Sequence, residues 1–216
     1  MLGQMIAGPR RVLQQGFALV ELLIVVAVVV IVLIIAAPSV RDMIELQRLR
    51  GVSAQFVTDV QFTRTEAATR QEVTGISFRT VTNSMSCYIV HTCGTVSPST
   101  CTCNCSAEAG SRCTAPRREI RTVQLPVNSK LKLAPVLVTG ATAVSNRIMF
   151  DPATGAMAAY FVAGVSGAAP PPASEFWAQA ELVRPSSPPQ LRIEISASGR
   201  PKVCAPGGLV SGERPC

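Results

Sequence analysis

The side chains with the most distinctive chemistry in this 216-residue chain are eight cysteines, none of which precedes position 87. Thiols at such a density either pair as disulfides or hold a metal ion. An even number suits complete pairing, although eight cysteines allow roughly a hundred connectivities and the sequence does not choose among them. The disulfide candidates are Cys87, Cys93, Cys101, Cys103, Cys105, Cys113, Cys204 and Cys216.

The alternative, a metal site, would start from the C-x-C-x-C run at residues 101–105. Zinc sites usually combine more widely spaced cysteine pairs, or cysteines with histidines. This run is tighter than that, and His91 is the only histidine in the chain. Disulfides are therefore the favoured interpretation, and the sequence predicts neither a metal nor a cofactor.

A single carboxylate interrupts a long apolar stretch near the start of the chain. Residues 17–37 are almost continuously apolar apart from Glu21, and as a helix they would be about 31 Å long, roughly the hydrocarbon thickness of a bilayer. Arg10 and Arg11 precede the stretch and favour a cytoplasmic amino-terminal flank. Glu21 is the exception in this stretch, because a carboxylate in lipid costs a few kcal/mol unless it is paired or near the interface.

A cleaved secretory signal and a plain membrane anchor are the alternatives for this stretch. The apolar region of a secretory signal is about 7–15 residues long and ends at a small-x-small cleavage site. Here the apolar run is longer and continues directly into a helix-forming segment. A plain anchor explains the length but neither Glu21 nor the junction between Gly16 and Phe17.

Two basic residues near the carboxyl end form a third candidate site. Residues 191–195 alternate between apolar and charged side chains, which predicts a half-buried strand, and Gly199 predicts a turn after it. Arg200 and Lys202 follow two residues apart and are expected to share one face of the next strand. The chain carries a formal net charge of +7, which admits an anionic partner without requiring one. The alternative is a basic turn with no special function.

Catalysis is not predicted. The sequence has no phosphate-binding loop and no dinucleotide-binding fingerprint, and His91 forms no recognisable catalytic motif with its serines and aspartates. The chain is therefore expected not to be an enzyme. Trp177 is interpreted as a core or sheet residue, with stacking on a ligand as the lesser alternative.

One helix and a set of strands must position these residues. Residues 39–70 carry apolar side chains at helical spacing, which predicts an amphipathic helix continuing the membrane stretch. The apolar residues are Leu46, Leu49, Val52, Phe56, Val60 and Ala67. The charged residues between them are expected to face solvent, namely Arg48, Arg50, Asp59, Arg64, Glu66 and Arg70.

Beyond residue 70 the pattern changes to short alternating or β-branched runs, which are typical of strands. The predicted strands are residues 73–79, 87–91, 120–125, 131–138, 147–150, 176–183 and 191–196. Residues 92–116 have few large apolar side chains, so only disulfides could order them, and residues 164–174 and 185–189 are predicted loops. The predicted fold class is α+β, with a long N-terminal helix, half transmembrane and half amphipathic, packed on an antiparallel β-sheet or β-sandwich.

The residues at the amino-terminal junction resemble a known family. The pattern G-F-x-L-x-E-L-L, beginning at Gly16, is similar to the leader and N-terminus of type IV pilins and type II secretion pseudopilins. The resemblance implies that a prepilin peptidase cleaves after Gly16 and that Phe17 becomes a methylated N-terminus. It also implies that Glu21 pairs with the terminal amine of a neighbouring subunit in a fibre, and that Pro38 kinks or locally melts the helix.

Three further segments resemble the GspH/FimT type of minor pilin. Residues 62–70, FTRTEAATR, are similar to the Q-x-A-R-S-E-A pattern at the end of the pilin helix, with Arg64, Glu66 and Ala67 matching. Residues 150–155, FDPATG, resemble the turn of a hairpin in the same group. Gly199, Arg200 and Lys202 resemble the G-R-x-R tail of members that bind DNA, with lysine where arginine is usual, so the phosphate would meet a point charge in place of a planar fork.

The resemblance implies a leader at residues 1–16, a transmembrane and assembly helix at 17–38, and a periplasmic pilin-like domain at 39–216. Within that domain it implies an amphipathic helix at 39–70, a β domain at 71–204 and a carboxyl-terminal tail at 205–216. The protein would sit in the bacterial inner membrane with a single span and then enter a pilus or pseudopilus.

The implied function is that of a FimT-type minor pilin that binds double-stranded DNA through backbone phosphates in natural transformation. Other major and minor pilins, the prepilin peptidase and the inner membrane would be its further partners. The alternatives are a GspH-type pseudopilin with a structural role in type II secretion, and a minor pilin that only initiates pilus assembly.

Overall fold

The computed structural model describes residues 19–81, 85–136, 138, 145–160, 175–183, 188–208 and 210–216, with only the backbone described at 36–39 and 80–81. The predicted leader, with Gly16 and Phe17, lies outside the described residues, as do all of the predicted loop at 164–174 and most of that at 185–189. The chain divides into two compact units, one ending at Ile44 and one comprising Glu45–Cys216.

The first unit contains the apolar part of helix α1, whose bounds are Leu19–Arg70. Its apolar side chains from Leu19 to Ile35 are exposed, and Glu21 lies in the first turn. Pro38 falls inside the bounds of the helix. Among the described residues no single helix meets the length and hydropathy of a membrane span, whereas Leu19–Ile35 and Val40–Arg70 meet them together as a bent pair.

In the second unit, the remainder of α1 packs its apolar side chains into the core. Leu49, Phe56, Val60 and Ala67 are fully buried, and Leu46 and Val52 are partly buried against them. The spacing of three and four residues brings these side chains to one side of the helix. The helical stripe predicted from the sequence is therefore present in this unit.

In the part of the chain that the structure describes, nine strands form two antiparallel sheets. The strands are β1 Thr74–Val81, β2 Met85–Thr92, β3 Arg118–Pro126, β4 Leu131–Val136, β5 Arg147–Phe150, β6 Met157–Tyr160, β7 Phe176–Leu182, β8 Gln190–Ile195 and β9 Pro201–Cys204. The five-stranded sheet has the order β3-β2-β1-β5-β6, and the four-stranded sheet has the order β4-β7-β8-β9. Short 3₁₀ turns at Val127–Ser129 and Pro206–Gly208 follow β3 and β9. The α+β class and the antiparallel sheets predicted from the sequence are confirmed.

The predicted strands agree with the observed ones to within a few residues, and the prediction for β5 is exact. Strand β6 was not among the predicted strands, although the resemblance of residues 150–155 to a hairpin turn implied a strand after β5. Its four residues, Met157–Tyr160, include two alanines, which favour strands only weakly. The strand exists because it pairs with β5 in full register, from Arg147 opposite Tyr160 to Phe150 opposite Met157.

The core lies where the inner faces of both sheets meet α1. Four aromatic rings join the three elements, because Phe56 of the helix contacts Phe78 and Tyr88 of the five-stranded sheet at centroid distances of 5.4 and 5.3 Å. Phe78 in turn stacks on Phe176 of the four-stranded sheet at 5.2 Å. Such aromatic contacts add about 0.5–1.5 kcal/mol each to the burial of the rings.

The outer face of the five-stranded sheet is covered by the segment between β2 and β3, residues 93–117, here called the disulfide-rich segment. Three disulfides hold this segment: Cys87–Cys105, Cys93–Cys101 and Cys103–Cys113. A fourth, Cys204–Cys216, ties the carboxyl terminus to β9. All eight cysteines are paired, so the disulfide prediction is confirmed. Three of the four disulfides cross-link the disulfide-rich segment, as expected for a segment with few large apolar side chains.

One charged residue of α1 contradicts the expectation that all the charged side chains of its amphipathic part face solvent. Asp59 is fully buried. Its Oδ2 atom accepts a hydrogen bond of 2.6 Å from the Tyr88 hydroxyl, and its Oδ1 atom lies 2.8 Å from Nη1 of Arg121. Because Asp59 is three residues from Phe56, it faces the sheet with the apolar stripe, and two strands supply the donors that make its burial tolerable.

Candidate functional site

The basic residues near the carboxyl end lie on a tight turn between β8 and β9, here called the basic turn and comprising residues 196–202. The amide of Gly199 donates to the Ser196 carbonyl at 2.7 Å, and the Ser196 amide donates to the Arg200 carbonyl at 3.3 Å. Gly199 has a φ of 72°, a left-handed conformation that costs an L-residue about 1 kcal/mol or more. Glycine is therefore required here by the backbone of the turn.

Gly199 is also required by its surroundings. A Cβ atom at this position would lie 2.9 Å from Cε1 of Phe150, 3.2 Å from the Gly155 carbonyl oxygen and 3.4 Å from Cδ of Arg64. The neighbouring Ala197 carbonyl accepts a hydrogen bond of 2.8 Å from the Met157 amide. The basic turn thus packs against helix α1 and the β5–β6 hairpin.

The contacts around Gly199 bring together three segments that are far apart in the sequence. Arg64 comes from the end of α1, Phe150 and Gly155 from the β5–β6 hairpin, and Gly199 from the basic turn. Each segment was identified separately by its own local pattern, and none of those patterns indicates that the three segments meet. Gly199 therefore serves to position the turn, which leaves Arg200 and Lys202 as the side chains able to contact a ligand.

The β5–β6 hairpin is fixed by its own hydrogen bonds. The carboxylate of Asp151 accepts from the Thr154 amide and hydroxyl, each at 2.8 Å, and from the Ala153 amide at 3.1 Å. These bonds, with those of Thr154 first, hold the pKa of Asp151 below its ordinary value. Asp151 is therefore an ionised part of the turn, and the hairpin provides a rigid support for Gly199.

Arg200 and Lys202 are both exposed, and neither makes an ion pair within the part of the chain that the structure describes. Arg200 immediately precedes β9, and Lys202 lies on the outer face of the four-stranded sheet, directly opposite Glu194. Glu194 lies 4.0 Å from Nη1 of Arg192. Two cations free of carboxylate partners at one turn form a site that can accept phosphate oxygens.

Three further arginines that could extend this site, Arg112, Arg117 and Arg118, are engaged elsewhere. Arg112 forms an ion pair of 2.7 Å with Glu119, and Arg118 forms one of 3.3 Å with Glu72. Arg117 donates to the carbonyls of Thr114 and Thr102. All three lie in or next to the disulfide-rich segment, which covers the other sheet, so they do not add to the basic turn.

Trp177 lies on the outer face of the four-stranded sheet, opposite Glu194 of β8. It is half-buried, and the guanidinium of Arg192 stands 4.6 Å from its ring centroid. A cation over an indole contributes about 0.5–1 kcal/mol at an exposed site. Trp177 is therefore a sheet residue, as one interpretation held, but it is outside the core.

His91 has a partner that sequence analysis missed. Its Nε2 atom lies 2.8 Å from the hydroxyl of Ser77, and both side chains are buried beneath the disulfide-rich segment. The two residues are on paired strands β1 and β2, so strand register would have been needed to find the contact. Burial lowers the pKa of His91 to about 4. The pair is therefore a neutral, buried contact with no access for a substrate.

Two groups of potential metal ligands occur among the described residues: His91 with Cys93 and Cys101, and Glu194 with Cys204 and Cys216. In both groups the two cysteines are joined to each other as a disulfide. A disulfide sulfur is not the thiolate that zinc requires. The described part of the chain thus uses these cysteines as cross-links.

Neither a scan against protein-family models nor searches of curated proteins and of solved structures returned a match for this chain.

Replacing Gly199 by alanine tests how much the close packing around Gly199 contributes to stability. We expect Gly199→Ala to lower the free energy of unfolding by about 2–3 kcal/mol, because it adds a contact at 2.9 Å to the strain of a positive φ. Gly208→Ala is the matched control, since Gly208 has a φ of 67° with nothing within 4 Å, and it should cost about 1 kcal/mol. Urea unfolding of both variants measures the difference. Equal losses of unfolding free energy in the two variants would show that the close packing around Gly199 contributes nothing.

Proposed function

We propose that this protein is a minor pilin of the FimT type that binds double-stranded DNA through the basic turn. The observation that carries the proposal is that Arg200 and Lys202 are exposed, free of carboxylate partners among the described residues, and mounted on a turn that Gly199 holds against α1 and the β5–β6 hairpin. Because the backbone of the turn is already held, binding phosphates would order only the two side chains, which limits the loss of conformational freedom.

The chemistry of the turn favours contacts to the DNA backbone. Arginine and lysine bind phosphate oxygens, whereas the reading of base sequence requires side chains placed in a groove. No helix is part of the basic turn. Binding through this turn should therefore depend on salt and be independent of sequence, with each neutralised phosphate adding about −0.9 to the slope of log affinity against log salt.

The amino-terminal half of the proposal rests on Glu21 and the exposed apolar side chains of α1. In the proposed sequence of events, prepilin peptidase cuts between Gly16 and Phe17, and the apolar helix holds the subunit in the inner membrane until it joins a fibre. Glu21 then pairs with the amino group of Phe17 of a neighbouring subunit, because a carboxylate in an apolar environment is stable only beside a cation. Pro38, which lacks an amide donor, would weaken the helix where it leaves the membrane.

The second candidate is a GspH-type pseudopilin, or a minor pilin that initiates assembly, in which the basic turn binds no nucleic acid. Glu194 favours this candidate, because it stands directly opposite Lys202 and reduces the positive potential at the turn. The two candidates share the amino-terminal helix and differ only in whether Arg200 and Lys202 meet DNA.

DNA binding by the full chain in a neutral detergent separates the candidates. We expect Arg200→Ala combined with Lys202→Ala to weaken binding of a short duplex at low salt by about tenfold or more and to reduce the salt slope by about 1.8. Arg48→Ala combined with Arg79→Ala is the matched control, since it removes the same charge from exposed positions elsewhere. Fluorescence anisotropy measures both, and an unchanged affinity in the first variant would support the structural candidate.

A further inference from the structure

Arg64 occupies an unusual position beneath the basic turn. A Cβ atom at Gly155 would lie 2.7 Å from Nε, 3.1 Å from Nη2 and 3.3 Å from Cζ of Arg64, so the guanidinium lies close against that glycine. The aliphatic part of the same side chain passes under Gly199, with Cδ 3.4 Å from where a Cβ would stand. Glycine at both positions is what allows the arginine to lie between the two turns.

The guanidinium of Arg64 is only partly exposed, yet within the described ranges of the chain it has neither an ion pair nor a hydrogen bond. The carboxylate of Asp151 on the adjacent hairpin is occupied by the donors of Ala153 and Thr154. A guanidinium offers five donors, and sheltering them without an acceptor is unfavourable. Arg64 therefore has donors available for an anion that approaches the basic turn.

We propose that Arg64 is a third phosphate-binding residue of this site, acting with Arg200 and Lys202 on a backbone phosphate of the DNA. The inference rests on the proposed function and extends it to a residue of α1. The polypeptide backbone on one side of the guanidinium reduces its contact with water, so its attraction for a phosphate is screened less than that of an exposed side chain. Its planar fork supplies the paired donors that Lys202 lacks.

A structural role for Arg64 is the competing explanation, because its stem supports both glycine turns. Methionine separates the two roles, since it retains an unbranched stem of similar length and removes the charge. Lysine retains the stem and the charge but loses the fork. A ligand-binding role predicts that Arg64→Lys binds DNA much better than Arg64→Met, whereas a supporting role predicts that the two variants behave alike.

The test measures duplex binding by the full chain in neutral detergent across a series of salt concentrations. We expect Arg64→Met to weaken binding at low salt by about threefold to tenfold and to reduce the salt slope by about 0.9, the value for one phosphate. Arg64→Lys should restore the slope. Arg70→Met is the matched control, because Arg70 ends the same helix and already pairs with Glu66, and it should leave the slope unchanged.

The outcomes distinguish this inference from the function on which it rests. If the unmodified chain binds and the Arg200→Ala, Lys202→Ala variant does not, but Arg64→Met binds as tightly as the unmodified chain, only the role of Arg64 is overturned. Equal losses in Arg64→Met and Arg64→Lys would overturn it as well. If the unmodified chain does not bind duplex DNA at all, the proposed function and this inference both fail.

Discussion

Replacing Asp59 by alanine is expected to lower the free energy of unfolding by about 2–4 kcal/mol, because it leaves the buried Tyr88 hydroxyl without an acceptor and removes the ionic partner of the half-exposed Arg121. Asp59 is fully buried and accepts from both Tyr88 and Arg121. Without the carboxylate, the Tyr88 hydroxyl has lost its acceptor in an apolar core. Burial, followed by the hydrogen bond to Asp59, raises the pKa of Tyr88, so the phenol stays protonated and continues to need that acceptor.

Tyr88→Phe distinguishes the two halves of this network. It removes the donor and leaves Asp59 with Arg121, whose side chain is 49% exposed, so we expect a smaller loss of about 1–2 kcal/mol. Glu108→Ala, at an exposed carboxylate in the disulfide-rich segment, is the control and should cost less than about 0.5 kcal/mol. Denaturant unfolding measures all three variants. A loss below about 1 kcal/mol for Asp59→Ala would contradict the importance of the network.

Asp59 also shows where prediction from the sequence fails. The apolar stripe of α1 was identified because helical spacing is a local property of the sequence. Whether a charge beside that stripe is solvated depends on donors that arrive from β2 and β3, which follow about 30 and 60 residues later in the chain. Local patterns predict which face of an element is buried, but they do not identify the partner that makes an exception possible.

The same distinction applies to the candidate site. Gly199, Arg200 and Lys202 were identified from a four-residue pattern, and the turn at Gly199 and the strand after it are where the pattern predicts, although Arg200 precedes that strand and only Lys202 lies on it. That Gly199 rests on Phe150 and Gly155 was not predictable, because the contact joins a turn of one sheet to a turn of the other. The position of Arg64 between the two turns was not predictable for the same reason, since it depends on contacts with distant segments, and the local pattern indicated only an ordinary solvated charge.

The cysteines illustrate the opposite case, in which composition was sufficient for the general prediction. Eight cysteines and one histidine indicate disulfides over a metal, and all eight are paired. The pairing itself depends on which strand the insertion covers. Cys87 belongs to the outer face of β2 and meets Cys105 because the segment folds back over that face.

His91 leads to the second prediction of a large effect, a dependence of stability on pH. Its imidazole is buried against Ser77, and burial lowers its pKa from 6.5 to about 4, with the charges of Arg117 and Arg147 acting in the same direction. Between pH 4 and 6.5 the unfolded chain therefore binds a proton at this residue that the folded chain does not. Stability from this group is fully present above pH 6.5 and is lost as the pH falls, by about 3 kcal/mol at pH 4.

Comparison with His91→Gln isolates this contribution, because glutamine can still donate to Ser77 but does not titrate in this range. Glu119, whose pKa is lowered, also contributes stability that is lost in acid in both proteins, so only the difference between the two unfolding free energies reports on His91. We expect that difference to shift by about 3 kcal/mol in favour of the glutamine variant between pH 7 and pH 4. Urea unfolding at several pH values measures it, with the disulfides intact. Parallel curves would mean that the imidazole is reached by solvent in the folded protein, and the disulfide-rich segment would then not be the cover over this sheet that its cross-links indicate.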